Sequence, residues 1–155
     1  MRSPSELTAV FRSQGLKLTP QRQLLFRVLH GNVTHPSADA LYLLASAHMP
    51  GIALRTVYQT LNDLAAMGEL QQLTLGAGSS RFDPNVETHH HTICQRCGEV
   101  RDVYLTGDAH PQVQELAGFF VDSAAVVLHG TCAQCLAGDS TVKSDNRRNN
   151  TENST

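Results

Sequence analysis

LRTVYQTLNDLAAM, residues Leu54–Met67, sets Val57, Leu61 and Leu64 at helical spacing and closes on Gly68. Arg55, Thr56, Tyr58, Gln59 and Asn62 fall on the opposite, polar face of that helix. Two extended runs follow directly, Leu70–Leu75 and Ser80–Phe82, around Gly76-Ala77-Gly78, which predicts a β-hairpin. Upstream the chain reads as three short helices. The first ends over Arg12–Gly15, with Gly15 suited to a left-handed cap. Thr19-Pro20 opens the second, since Thr19 can cap and Pro20 at the first helical position loses no hydrogen bond. Leu24, Leu25, Val28 and Leu29 form its apolar stripe. Ser37 caps the third, with Ala40, Leu41, Leu44 and Ala45 facing inward, and Pro50-Gly51 ends it. Helices followed by a hairpin describe a winged helix-turn-helix, whose last helix enters the major groove while the hairpin grips phosphate. A polar helix face alone reads equally well as a solvated surface.

The second half contains strand-like runs at Glu99–Leu105 and Phe119–Leu128, with a helix over Pro111–Ala117 between them. After Cys135 the apolar pattern disappears, and Asp139–Thr155 is expected to be a disordered polar tail. The boundaries expected are 1–84 for the winged helix, 85–136 for a compact α/β unit and 137–155 for the tail. With no Trp and only 5% aromatic residues, a large core is not expected in 155 residues, and a metal staple would help the smaller lobe fold. No apolar stretch is long enough to span a bilayer, and Met1–Ser13 lacks the apolar centre of a signal peptide. The cytoplasm is therefore the expected compartment, where paired cysteines hold metal more often than they form disulfides. Net charge is −2, but residues 1–84 carry seven Lys/Arg against five Asp/Glu, and residues 85–155 carry five against nine. That asymmetry permits a DNA-facing first half, and a dimer would double its phosphate contacts.

All four cysteines lie in two Cys-x-x-Cys pairs, Cys94/Cys97 and Cys132/Cys135. Each pair can present two thiolates to one ion, and together they complete a closed Zn2+ shell with no open position for catalysis. The other reading, a redox-active pair, needs a thioredoxin-type setting that the sequence does not offer. Just upstream, His89 and His91 alternate on an extended segment, so they share one face while His90 points away. Asp83 ends the hairpin, Asp102 lies eight residues past Cys94, and His35 precedes Pro36-Ser37 at a loop-to-helix junction. Three imidazoles and two carboxylates suit a borderline divalent cation such as Fe2+, Mn2+, Co2+ or Zn2+. His30, His48, His110 and His129 lack such company and are read as surface or packing residues.

The order Leu18–Arg22, His35–Asp39, Thr56–Leu61, Arg81–Asp83, His89–Cys94 and the two Cys-x-x-Cys pairs resembles the ferric uptake regulator family over roughly residues 7–136. The resemblance implies a dimeric, metal-dependent bacterial repressor: α/β overall, an N-terminal winged helix-turn-helix domain plus a C-terminal α/β dimerisation domain. Within the family the chain is similar to the peroxide-sensing branch. That implies regulatory ligands at His35, Asp83, His89, His91 and Asp102, and structural zinc at Cys94, Cys97, Cys132 and Cys135. Iron- and zinc-sensing relatives commonly have Glu in place of one of the two Asp. A further site of some relatives is not expected, because Thr88, His90 and Ala124 occupy its places. Ala53 stands where the family often has a capping Ser, a loss worth about 1 kcal/mol.

The expected mechanism is a regulatory Fe2+ or Mn2+, with Zn2+ as a substitute, that joins both ligand groups and so sets the spacing of two recognition helices on a palindromic operator. Tyr58 and Gln59 are expected at base edges or thymine methyls, Arg55 at phosphate or guanine, and Thr56 on the same face. Lys17 and Arg22 are expected on the DNA backbone. With Fe2+, peroxide would oxidise His35 or His89 and release the operator. Competing readings are an iron- or zinc-responsive repressor, a thiol redox switch, and a metallohydrolase. The last lacks a general base once the carboxylates serve as ligands, so the chain is not read as an enzyme.

Overall fold

Ser3, Thr19 and Ser37 each stand just before a helix, and each side chain accepts a hydrogen bond from the backbone N–H three residues on. They start α1 (Pro4–Ser13), α2 (Pro20–Leu29) and α3 (Ala38–His48). A fourth helix, α4 (Leu54–Ala66), begins at Ala53 with no side-chain cap. The computed structural model describes residues 1–75, 79–106, 118, 120 and 124–138. The chain divides into two units, Met1–Thr88 and His89–Thr155.

In the first unit the four helices pack around Leu7, Phe11, Leu25, Phe26, Leu29, Leu41, Val57, Leu61 and Leu64, all fully buried. Phe11 and Phe26 meet edge to face with ring centroids 4.8 Å apart, which joins α1 to α2. Gly15 and Gly68 take φ of +69° and +70°, the left-handed conformation that ends α1 and α4 as expected. Two expectations are corrected. Leu44 is 48% exposed rather than inward, because α3 presents Ala38, Leu41 and Ala45 to the core and turns Leu43 and Leu44 out. Phe26, outside the predicted stripe of α2, is buried because the helix is covered on more than one side. The wing is β1 (Gln71–Leu73) paired antiparallel with β2 (Arg81–Asp83), so that Gln71 faces Asp83 across the hairpin.

The second unit is a three-stranded sheet in the order β4-β3-β5. β3 (His90–Cys94) pairs antiparallel with β4 (Val100–Val103) and parallel with β5 (Val127–Gly130). A short helical segment follows at 133–138. Of the strand expected over Phe119–Leu128, β5 takes up Val127 and Leu128 and continues to Gly130, while residues 119 and 121–123 lie outside the described residues. The expected helix over Pro111–Ala117 and the polar tail from Asp139 lie outside the described residues.

Candidate metal centres and groove-reading face

The reversal between β3 and β4 is itself the first thiol pair. Cys94 and Glu99 close it through Cys94 N–H to the Glu99 carbonyl at 2.9 Å, and Gly98 N–H returns to the Cys94 carbonyl at 2.9 Å. Gly98 adopts φ +72°, which a side chain would resist. β5 runs beside β3 as far as Gly130, and Cys132 then donates its N–H to the Cys94 sulfur at 3.3 Å. The result is four reduced sulfurs within 4.8 Å of one another. Cys97 Sγ and Cys132 Sγ stand 3.7 Å apart. Sulfurs bound tetrahedrally at about 2.3 Å from zinc are separated by roughly 3.8 Å, so this set fits that ion. Backbone hydrogen bonding from Cys97, and then from Cys132, lowers the Cys94 thiol to about 6. The Cys135 thiol is pushed up to about 12, chiefly by its contact with the Cys132 sulfur and then with Cys97. One sulfur of the cluster is thus ionised at neutral pH while another holds its proton until a cation displaces it.

Register across the same hairpin builds the nitrogen and oxygen donors. His91 lies directly opposite Asp102 in the β3–β4 ladder, and side chains of such a pair share a face. His89, one residue ahead of β3, falls on that face too. His89 Nε2 is 3.0 Å from His91 Nε2 and 3.4 Å from Asp102 Oδ1, and His91 Nε2 is 3.9 Å from the same oxygen. Adjacent vertices of an octahedron with bonds of about 2.1 Å lie roughly 3.0 Å apart, so the triple converges as ligands of one divalent cation would. Both imidazoles are buried. His90 points elsewhere, its Nδ1 accepting from Val126 N–H at 3.1 Å. Tyr104, which sequence reasoning passed over, has its ring centroid 6.1 Å from that of His89.

His35 and Asp83 form a second group, inside the first unit. His35 Nε2 and Asp83 Oδ2 are 3.6 Å apart, and both residues are 1% exposed. The wing strand holds them together: Phe82 N–H donates to the Pro36 carbonyl at 3.0 Å, Arg81 Nη1 donates to the His35 carbonyl, and Ser37 bridges to Arg81. The Asp83 carboxylate is oriented by Asn85 N–H, which donates to its other oxygen at 2.8 Å. His35 alone among the described non-glycine residues has positive φ, +48°. An L side chain held there costs about 1–2 kcal/mol, a form of strain that concentrates at functional sites.

On the outer face of α4, Arg55, Tyr58 and Gln59 are exposed and Thr56 is half-buried; Lys17 is exposed before α2. Arg22 is elsewhere. It is 7% exposed, its Nη2 donates to Asp63 Oδ2 at 2.7 Å, and its guanidinium lies 5.3 Å from the centre of the Phe11 ring. Asp63, four residues beyond Gln59 on α4, draws Arg22 into the helix packing, which is a different setting from the DNA backbone expected for it. Nothing in the sequence paired those two positions.

A sequence model described as the ferric uptake regulator family matches residues 13–129. The peroxide-responsive repressor PerR of Staphylococcus aureus strain Mu50 is 35% identical over 132 residues, covering 84% of this chain and 89% of the relative. Among solved structures, the Campylobacter jejuni peroxide stress regulator superposes with a TM-score of 0.59 at 25% identity, over 87% of this chain and all (100%) of that one. The iron-containing ferric uptake regulator of Francisella tularensis gives a TM-score of 0.68 at 24% identity, over 79% and 96% of the two chains.

Proposed function

The chain belongs to the ferric uptake regulator family, whose members are metal-responsive DNA-binding transcriptional regulators rather than enzymes, and from that premise we propose that it is a cytoplasmic peroxide-sensing repressor. In this reading Cys94, Cys97, Cys132 and Cys135 hold a structural Zn2+. One regulatory Fe2+ or Mn2+ draws on His35 and Asp83 together with His89, His91 and Asp102. The observation that carries the reading is the pair of buried imidazoles, His89 and His91, whose ring nitrogens stand 3.0 Å apart beside Asp102. Similarity to the staphylococcal peroxide-responsive repressor supports the choice of signal.

The protein's own residues account for the coupling to DNA. His35 immediately precedes Pro36-Ser37, which hydrogen-bonds the wing and caps α3, so a change at His35 reaches both elements directly. Asp83 is the last residue of the wing strand. Holding these two side chains to the same cation as His89, His91 and Asp102 would fix the orientation of the winged helix, and with it the separation of the two copies of α4 in a homodimer on a palindromic operator. Such a coupling is typically worth a 5- to 150-fold gain in affinity, about 1–3 kcal/mol. Bound iron would supply the electron that reduces peroxide, next to imidazoles that can be oxidised. Oxidation of His35 or His89 removes a nitrogen donor, and the operator is released.

The test is mass spectrometry of the iron-loaded chain after peroxide, with duplex binding followed in parallel. An added oxygen on a His35 or His89 peptide, together with lost DNA binding that the manganese-loaded chain keeps, is the expected result. Unmodified histidines would return the assignment to an iron- or zinc-responsive repressor of metal uptake. Disulfides among the four cysteines, with zinc released, would make the protein a thiol switch.

A further inference from the structure

We propose that Arg22 and Asp63 form a positioning pair that fixes the rotation of α4 about its own axis, and so aims Arg55, Tyr58 and Gln59 at the groove; the proposal rests on the DNA-binding reading above. Three observations carry it. The Arg22 side chain is 9% exposed and its Nη2 reaches Asp63 Oδ2 at 2.7 Å, so the contact is a direct charge-assisted hydrogen bond rather than a loose surface pair. The guanidinium also lies over the Phe11 ring, 5.3 Å from its centre, and that ring is itself packed edge to face on Phe26. And the base of the arginine sits in the first turn of α2, where its own N–H donates to the Thr19 cap at 3.3 Å. Three helices thus meet at one side chain: α1 through Phe11, α2 through Arg22 itself, and α4 through Asp63.

The chemistry of the pair is poorly suited to stability alone. Arg22 Nη1 is buried without a hydrogen-bond partner, which costs free energy. Burying an ion pair is offset by its attraction only in part, and an apolar pair of similar volume commonly stabilises as well or better. What the hydrogen bond adds is direction, because its strength falls steeply as the donor turns off line. Gln59 lies one helical turn before Asp63, and Tyr58 is beside it. With side-chain tips about 5–6 Å from the helix axis, a rotation of 20° moves them by roughly 2 Å. Base-edge hydrogen bonds do not survive that displacement, whereas contacts to the phosphate backbone tolerate it better.

The full-length, zinc-containing, manganese-loaded chain would be used to enrich duplexes from a random pool. Wild type, Asp63→Asn and Arg22→Lys would then be titrated against an enriched duplex and an unselected one at several salt concentrations, with folding checked by circular dichroism. The expected result for Asp63→Asn, which keeps the shape of the side chain, is roughly tenfold weaker binding to the enriched duplex. Binding to the unselected duplex and the salt slope stay unchanged, and Arg22→Lys behaves alike. If Arg22→Lys fails to fold, Asp63→Asn decides alone. Binding of Asp63→Asn as tight as wild type, or tighter through loss of a negative charge near phosphate, overturns the proposal. So does a parallel loss on both duplexes, with the salt slope reduced by about one, in a further variant that removes the charge, Arg22→Gln, the signature of a phosphate contact. A wild-type chain that enriches no duplex brings down the DNA-binding reading itself, an outcome distinct from the other two.

Discussion

The sulfur cluster and the imidazole–carboxylate groups of this chain are built on different physical terms. Four sulfurs are gathered within one unit by a hairpin turn and the segment that follows its parallel neighbour strand, and their spacing fits a closed shell for zinc. The nitrogen and oxygen donors come as a triple on the sheet and a pair under the wing, each made by its own unit. A self-contained cluster suits a role in folding, and the proposed sharing of the other donors by one cation would suit a reversible signal. The triple nevertheless depends on the cluster, because the hairpin that the sulfurs close is the one whose register sets His91 opposite Asp102.

Breaking the cluster should therefore have the largest effect. Cys132→Ser is expected to lose zinc and, with it, several kcal/mol of the order that structural zinc contributes, so that the sheet unfolds while the four-helix unit keeps its circular dichroism. Zinc content and thermal melts of the two transitions check this. A zinc-free variant with an intact second transition would detach the triple from the cluster.

The cluster should also betray itself through protons. Cys94 is already ionised above about pH 6, but Cys97 is raised and Cys135 is pushed up to about 12, so both must give up a proton when zinc binds. For Cys97 the Glu99 backbone pulls down, and the contacts with Cys94 and Cys132 and burial together outweigh it. Ligation needs the thiolate, so affinity rises with pH: at least two log units per pH unit are expected between pH 7 and 8, measured by chelator competition. A slope near zero would mean that the thiols ionise without help from the cation.

The smallest effect sharpens the contrast from the other unit. Ala53→Ser supplies the missing cap of α4 and should raise stability of the helical unit by about 1 kcal/mol, read from its melt, with zinc affinity untouched.

Much of this was legible in the chain because it depends on local chemistry. Thr19-Pro20, Ser37, Gly15 and Gly68 mark helix ends wherever they occur, and the four helices and wing follow. The thiol spacing and the alternation of His89 and His91 likewise describe short pieces of backbone. What escaped involves partners far apart in sequence. Arg22 looks like any basic residue near a recognition helix until Asp63, forty-one positions on, is seen to hold it. Leu44 fits the apolar pattern of α3, but which side of a helix is covered depends on its neighbours, and they cover the side of Leu41. The left-handed backbone of His35 leaves no sequence mark of the kind a glycine gives, and it sits where the wing strand, distant in sequence, hydrogen-bonds the next residue.

The reversal at Cys94–Gly98 also bears on how such a chain can vary over evolutionary time. Two thiols and a left-handed glycine occupy it, and the ladder resumes at once on both sides. One inserted residue would slide Asp102 to the far face of the sheet and pull Cys97 away from Cys132. The segment therefore works as a ruler of fixed length, and natural diversity in this protein's descendants should accumulate almost anywhere else.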